Sequence, residues 1–457
     1  MPQSDLDLNA VLADLAAGLP ADVERCYRAG DFAAANARID ALLAQDRLPQ
    51  TGRGALLAVR EIMRRIPGNY TLSRAAALQK LQEQIPDFTE GEFDALLAAD
   101  RIDWRYIDGI PYYLTSFAEA LRLYPDLRAR GLKPDDEPDV RDNVIAAMQK
   151  NGHLDADITL RATIAPAPGL KVDPEAALCA WLPIPAACEQ QSGIEIVAAT
   201  PGGQIAPEDA PQRCIYWQGK GKDAPFSVTY RYHIHAQAVA LDAIRPDNIQ
   251  PQFYTHEEAP HILFTPWLRA LCEEIVKNCD DPLEKARAIY DYVTKNTNYR
   301  YQPAYACLEQ IADSCAKSGW GDCGVMALLF ITLCRIAGVP ARWQSGLYVT
   351  PDSAGAHDWA QFYIAPYGWL WADCSFGSGA HRMGNENRRQ HYFGSLDPLR
   401  MVANRSFYAQ LTPPDNAWRH DPYDNQVGEM TLAGRGLTGE ETVRTQTVVS
   451  FVADAPF

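Results

Sequence analysis

The chain has 457 residues, a net charge of −16 at pH 7, 47% hydrophobic and 22% charged residues. This length predicts two to four domains, each large enough for its own core, and the balance of residues is ordinary for a globular protein. The acidic charge argues against nucleic acid or an anionic membrane surface as the main partner. The longest apolar run, Met326 to Cys334, is too short to span a bilayer.

The cysteines and the first residues indicate a cytoplasmic protein. The eleven cysteines include no C-x-x-C pair, and their spacings fit no common zinc pattern. Several lie in apolar helical contexts, so we expect reduced, buried thiols. Asp5 and Asp7 stand where a secretory signal would carry basic residues. We therefore predict a cytoplasmic location and no membrane partner.

Residues 1–135 are predicted to form a helical domain. Asp31 is placed to cap one helix, Thr71 another, and Thr89 with Glu92 forms a capping box for a third. Trp104 to Tyr113 then predicts a hairpin that turns at Asp108-Gly109.

Two helices and a hairpin give this domain a winged-helix-like end. Between Thr71 and Thr115, acidic residues outnumber basic ones, which would repel phosphates. We therefore predict a structural or oligomerising role, with substrate binding outside the active site as the alternative. The acidic, turn-rich stretch from Gly131 to Asp139 is predicted to be a connector.

Residues 150–250 are predicted to form a β-sandwich. From about Ala156 to Ala236 apolar and polar residues alternate, as along Phe226 to His235, and glycine-rich turns separate the strands. His233 and His235 share a polar face and could form a metal pair. No third ligand is evident, so we expect exposed strand histidines and no metal site.

Residues 260–400 are predicted to form the catalytic core, followed by an extension over 401–457 that packs on it and adds an edge strand from Glu441 to Val452. Thr265-Pro266 and Asp281-Pro282 are typical of helix starts. A third helix begins after Gly321-Asp322-Cys323-Gly324 and ends at Gly338. This helix is apolar all round, which places it in a domain core.

Cys323 would therefore sit at the N-terminus of a buried helix. The helix dipole should favour the thiolate and lower the thiol pKa, and the free amide groups could hold an oxyanion. Asp322 is better explained as the helix N-cap than as a partner of the sulfur.

A base and an orienting acid follow Cys323 along the chain. His357 opens one predicted strand, and Asp373 ends the next after a turn at Pro366-Tyr367-Gly368. On adjacent antiparallel strands both side chains would face the same side. Cys323, His357 and Asp373 thus supply a nucleophile, a base and an acid.

These motifs, with Gly-Val-Pro-Ala-Arg from Gly338 and His-x-Trp from His357, resemble the core of the transglutaminase-like superfamily over about Pro266–Ser375. The chain is similar to a bacterial-type multidomain member. The resemblance implies an α+β, papain-like core that transfers an acyl group from an amide through a thioester on Cys323, without a metal or organic cofactor. One departure is Cys374, where many relatives carry proline.

Several assignments stay open. Trp320, Gln302 and Tyr305 are candidates for the second oxyanion donor or for substrate contacts, although the aromatic residues could simply pack the core. The substrate would be a peptide, a protein or a small amide, and the oligomeric state is undetermined. We predict hydrolysis, because too little chain follows Ser375 for the two later β-domains of animal transglutaminases and no calcium loop is present. Glutamine–amine transfer and a non-catalytic binding module are the alternatives.

Overall fold

The computed structural model describes residues 7–45, 47–132, 140–247 and 249–455. Most of the predicted acidic connector, residues 133–139, lies outside the described residues. None of the helices in the described ranges is long and apolar enough to cross a membrane.

The N-terminal region is mainly helical. Its elements are α1 (Ala21–Arg28), α2 (Phe32–Leu43), α3 (Gln50–Asn69), α4 (Arg74–Gln82), α5 (Glu90–Ala98), β1 (Trp104–Ile107), β2 (Ile110–Tyr113), α6 (Phe117–Leu121) and α7 (Pro125–Arg130). They enclose one apolar core that includes Val23, Ile62 and Phe93.

The local signals in this region are mostly confirmed. Asp31 caps α2, and Thr89 with Glu92 forms the predicted capping box of α5. The prediction for Thr71 is wrong: Ser73 caps α4, because an N-cap must stand directly before the first helical residue, and the Thr71 hydroxyl bonds Thr115 instead. β1 and β2 pair around Asp108-Gly109, as predicted.

The middle region contains α8 (Arg141–Asn151) and the strands β3 (His153–Pro166), β4 (Ala177–Pro183), β5 (Gln191–Ala199), β6 (Gln204–Ile205), β7 (Cys214–Lys220) and β8 (Phe226–Gln237). Along β3 and β8 buried residues alternate with more exposed ones, as the two-residue period predicts.

The last region contains α9 (Pro266–Val276), α10 (Pro282–Asn296), β9 (Asn298–Tyr299), α11 (Ile311–Ser318), β10 (Trp320–Gly321), α12 (Cys323–Ile336), β11 (Ala341–Val349), β12 (Ala354–Ile364), β13 (Gly368–Ala372), α13 (Cys374–Arg382), α14 (Glu386–His391), β14 (Phe393–Gly394), β15 (Arg400–Asn404), β16 (Glu429–Leu432), β17 (Arg435–Gly436) and β18 (Thr442–Ala453). Thr265 and Asp281 cap α9 and α10, as predicted.

Two sheets form a β-sandwich, with strand orders β17-β16-β4-β7-β6 and β18-β3-β8-β5. They share one apolar core. Strands β16, β17 and β18 belong to these sheets, whereas the sequence interpretation placed all of residues 401–457 on the catalytic core; Phe407 and Tyr423 do pack there. The reason for the difference is that β3 and β4 would each leave one edge unpaired, and β18 pairs with β3 while β16 pairs with β4. Strand periodicity cannot show such distant pairing.

The core around Cys323 is an α+β unit. Helix α12 is buried from Gly324 to Arg335 and packs against the antiparallel sheet β14-β13-β12-β11-β15. Phe330 of α12 contacts Phe362 of β12 with ring centroids 5.9 Å apart. The predicted all-round apolar helix is thus confirmed, and it fixes Cys323 at the end of the helix that lies against β12.

Candidate active site

Cys323 is the first residue of α12. Asp322 caps the helix, as predicted, by accepting a hydrogen bond from the backbone N–H of Val325 at 3.2 Å. Gly324 is required by packing, because a Cβ atom there would lie 2.2 Å from the Tyr305 hydroxyl and 2.6 Å from the Asp358 carboxylate. The start of α12 is therefore held tightly against β12.

His357 and Asp373 form a buried pair. The Nε2 atom of His357 lies 2.7 Å from Oδ2 of Asp373, and the two side chains are almost inaccessible to solvent. Burial lowers the pKa of His357, although Asp373 opposes this effect, so the imidazole is neutral near pH 7. A neutral imidazole oriented by a carboxylate is the state that a general base requires.

Arg400 is a second partner of Asp373. Its guanidinium lies 2.9 Å from Asp373 and 3.2 Å from Asp397, and it is fully buried. Burial alone would raise the pKa of Asp373, but His357 and Arg400 lower it to about 2. The carboxylate is therefore ionised over the whole physiological range. Four aromatic rings surround the guanidinium: Tyr348, Trp359, Phe376 and Tyr392.

Cys323 contacts a different acid. Its Sγ donates to Oδ2 of Asp358 at 3.3 Å, and no hydrogen bond joins it to His357 in the described part of the chain. The ring of His357 lies instead 4.4 Å from that of Phe376. The structure therefore brings His357 and Asp373 together, whereas Cys323 bonds Asp358, the residue that follows His357 on β12.

The expectation of a lowered thiol pKa is wrong for this arrangement. Burial raises the pKa of Cys323 well above its ordinary value, and the nearby carboxyl groups of Asp358 and Asp322 add to the rise. The backbone N–H of Asp358 acts in the opposite direction and is outweighed. Desolvation and two like charges thus exceed the effect of the helix N-terminus.

Asp358 belongs to a buried group of carboxyls that the sequence analysis missed. Tyr305 donates to Asp322 at 2.7 Å and to Asp358 at 3.2 Å, and Gln426 donates to the other oxygen of Asp358. Burial and Asp424 raise the pKa of Asp358 well above its ordinary value. Burial raises the pKa of Asp424 to about 7.

Sequence offered little signal for this group. Asp424 is held by Ser345 and Asn404, each at 2.6 Å, and all three are far apart along the chain. The stretch around Asp421–Gln426 looked like a polar turn. Its burial becomes evident only once the fold brings it to β11 and β12.

The three side chains predicted as candidates for the oxyanion or substrate site lie in different surroundings. The Tyr305 hydroxyl lies at the acidic group beside Cys323. The amide of Gln302 donates to the backbone carbonyl of Arg300, and the Trp320 ring packs under the Arg300 guanidinium at 5.3 Å. Of the three side chains, the structure therefore brings that of Tyr305 into the hydrogen-bonded group around the thiol, and Gln302 joins this group through its backbone N–H, which bonds Asp322.

Two tyrosines that the sequence analysis did not single out also lie near the sulfur. Burial raises the pKa values of Tyr299 and Tyr301, and a thiolate at Cys323 would raise them further. Tyr299 is held in place by a short parallel pairing between β9 and β10, in which it lies opposite Gly321. Tyr301 is partly exposed and marks an accessible edge of the site.

Comparison with known proteins identifies the core. Residues 269–374 match the model of the Transglutaminase-like superfamily. The matched segment includes Cys323 and His357 and ends just after Asp373. No curated protein is significantly similar to the chain.

Two solved structures are similar to the chain. A protein of Cytophaga hutchinsonii described as a "Putative Cysteine Protease" is 15% identical, with a TM-score of 0.42, over 67% of this chain and 92% of that one. The periplasmic domain of TgpA from Pseudomonas aeruginosa is 14% identical, with a TM-score of 0.28, over 54% and 95% of the two chains.

Proposed function

We propose that the protein is a cysteine-dependent hydrolase of a peptide or other amide bond, acting through a thioester on Cys323. The observation that carries the proposal is the buried His357–Asp373 pair, at 2.7 Å, inside a transglutaminase-like core whose central helix begins at Cys323. Neither a metal nor an organic cofactor is required for this chemistry, and the substrate would meet the protein in the cytoplasm.

The proposed reaction begins with a rearrangement in which the Cys323 thiol leaves Asp358 and reaches His357, whose ring now lies against Phe376. The thiol proton passes to Nδ1 of the imidazole, because Nε2 is already bonded to Asp373. The thiolate adds to the amide carbon, and the leaving amine takes the proton from the imidazolium as the thioester forms. Water then attacks the thioester, releasing the acid and restoring the thiol.

The charges around His357 suit this sequence of steps. The ionised Asp373 stabilises the imidazolium that forms in the first step. Arg400 bonds both Asp373 and Asp397 and so fixes the orientation of the carboxylate. Tyr305, beside the start of α12, is the side chain best placed to assist the backbone N–H of Cys323 in holding the oxyanion.

A non-catalytic binding module on the same fold is the second candidate. It is favoured by the hydrogen bond between Cys323 and Asp358 and by the raised thiol pKa, which both oppose thiolate formation at rest. The hydrolase is preferred because a binding module has no need of a buried His–Asp pair in the segment that carries Cys323.

The test uses an electrophile that mimics an amide substrate, with detection of the labelled residue by mass spectrometry. We expect covalent labelling at Cys323, its loss in His357→Ala, and normal labelling in Cys315→Ala, a matched variant of a buried cysteine. Labelling that is unaffected by His357→Ala, or that occurs mainly at other cysteines, would favour the binding module.

A second experiment separates hydrolysis from amine transfer. The active enzyme is incubated with an amide that resembles the labelling electrophile, with and without excess primary amine. The products are followed by mass spectrometry. Free acid in both cases supports a hydrolase. A dominant amine adduct at modest amine concentration would show a transglutaminase instead.

A further inference from the structure

A group of histidines and aspartates lies on the sandwich, on the paired strands β3 and β8. Asp155 is directly opposite His235 in the antiparallel register, and His153 lies two residues before Asp155. Side chains two apart on a strand share a face, and directly opposed residues on paired strands are close neighbours. The strand pairing therefore gathers these three side chains on one face.

The ligand atoms of these three residues converge. One nitrogen of each imidazole and one carboxylate oxygen all lie within 4.8 Å of one another. Nε2 of His153 is 3.3 Å from Asp155, and Nδ1 of His235 is 2.7 Å from it. From the sequence, His233 and His235 lacked a third ligand; the pairing of β3 with β8 supplies His153 and Asp155.

We propose that His153, Asp155 and His235 form a binding site for a divalent transition-metal ion, with Zn²⁺ as the ion to be tested. Two imidazoles and one carboxylate are a ligand set that suits zinc, nickel and copper more than magnesium or calcium. Three protein ligands leave a further coordination position for water or for an exogenous ligand. The group lies on rigid, paired strands, so little ordering is needed when the ion binds.

His233 has a different part in the site. Its two ring nitrogens each lie 3.2 Å from a carboxylate oxygen, one of Asp155 and one of Asp157. This arrangement leaves it no free nitrogen for a metal, but it orients Asp155. Hydrogen bonds to a ligating carboxylate from outside the coordination sphere are typical of protein metal sites.

Gln237 completes the surroundings of His235. Its side-chain amide lies 3.2 Å from Nε2 of His235. With the amide oxygen turned towards that nitrogen, Nε2–H would donate to Gln237 and leave Nδ1 free for the ion. His235 and Gln237 also line a cavity of about 210 Å³, together with Trp369 and Trp371 of β13.

The test is calorimetric titration of the full, tag-free chain with Zn²⁺ after treatment with a chelator. We expect saturable binding of one ion per chain. His153→Ala and His235→Ala should weaken it by more than about 100-fold, and His233→Ala by about 10- to 100-fold, the range for residues that support a ligand. His381→Ala, which removes an exposed histidine of α13, is the matched control and should bind normally.

Cobalt substitution gives an independent readout, since the chain has eleven cysteines that could also bind metal. The visible spectrum of bound Co²⁺ should lack sulfur-to-cobalt charge transfer and should change in His235→Ala. The proposal is overturned by absent saturable binding, by equal affinity in His153→Ala and His381→Ala, or by a thiolate spectrum. Circular dichroism of each variant verifies that the sandwich is folded.

Discussion

At the scale of single residues, the chemistry depends on which group receives the proton of Cys323. In the structure the sulfur donates to Asp358, and the oriented base, His357, is the preceding residue of β12. Proton transfer to His357 therefore competes with a contact that keeps the thiol neutral. This competition makes Asp358 a positioning residue whose removal should be measurable.

The first prediction concerns that contact. Asp358→Asn should lower the pKa of Cys323, because it removes the charge that a thiolate would meet at 3.3 Å. We expect the midpoint of the pH profile for alkylation of Cys323 by iodoacetamide to fall by at least about one unit. Asp313→Asn, which changes a buried carboxyl with other partners, is the control. An unchanged midpoint would show that burial alone raises the pKa.

The second prediction ranks the proposed catalytic residues. Cys323→Ala and His357→Ala should each reduce kcat/KM by about 10⁶-fold, and Asp373→Asn by about 10⁴-fold, because Asp373 orients the base and does not react. Steady-state kinetics with circular dichroism on each variant would measure this. Equal losses in all three, or an unfolded Cys323→Ala, would argue for structural roles.

At this scale the pairing of His357 with Asp373 could be predicted from the sequence, because it depends on two neighbouring strands. Cys323 begins α12 and Asp373 directly follows β13, whereas His357 lies inside β12, which begins at Ala354 and not at the predicted His357. Arg400, Asp358 and Asp424 carry no comparable signal, since their roles come from burial against distant segments. The thiol pKa was wrongly predicted for the same reason: the helix dipole is visible in sequence, whereas the opposing carboxyls are not.

At the scale of elements, the start of α12 is the most constrained position in the core. Gly324 lets the helix approach β12 and Tyr305 more closely than any side chain would allow. Close packing therefore explains why position 324 is a glycine. A backbone requirement does not explain it, since the φ angle of Gly324 is not in the left-handed region.

The third prediction follows from this approach. Gly324→Ala should lower the free energy of unfolding by about 1–3 kcal/mol, the usual cost of overpacking, and should displace Tyr305 or Asp358. Gly379→Ala is the matched control, since that helical glycine has open space around it and alanine is the better helix former. Urea unfolding of both variants measures the difference. A Gly324→Ala protein as stable as Gly379→Ala would contradict the described packing.

The elements themselves were mostly predictable, and their pairing was not. The helix caps at Asp31, Thr89 and Thr265 depend only on residues within one turn of the helix start, so the sequence alone predicts them. The partners of β16 and β18 lie more than two hundred residues away. The alternation of apolar and polar residues along a strand does not indicate which strand it pairs with.

At the scale of the whole molecule, buried histidines link folding to pH. Burial lowers the pKa of His261 to about 3, of His420 to about 3 and of His391 to about 4. In the unfolded chain these groups bind protons below about pH 6.5. Their contribution to stability is therefore complete above that pH and is lost as the pH falls towards the folded pKa values.

The fourth prediction uses His261, whose Nδ1 accepts a hydrogen bond from the backbone N–H of Ile311. Each such histidine should cost up to about 1.4 kcal/mol per pH unit below 6.5. Buried carboxyls with raised pKa values, such as Asp424, act in the opposite direction, so a comparison is needed. His261→Gln should reduce the loss of unfolding free energy between pH 7 and pH 5, measured in urea, relative to the unaltered chain. Parallel pH profiles would contradict the assignment.

The closure of both sandwich sheets by residues 429–453 has a consequence for synthesis of the protein. β3 and β4 leave the ribosome long before β18 and β16, the strands that cover their edges. Until then the nascent sandwich exposes unpaired backbone along two strands, the kind of surface that recruits chaperones or other chains. The core around Cys323 is made during this interval, so the edges of β3 and β4 stay exposed until β16 and β18 have been translated.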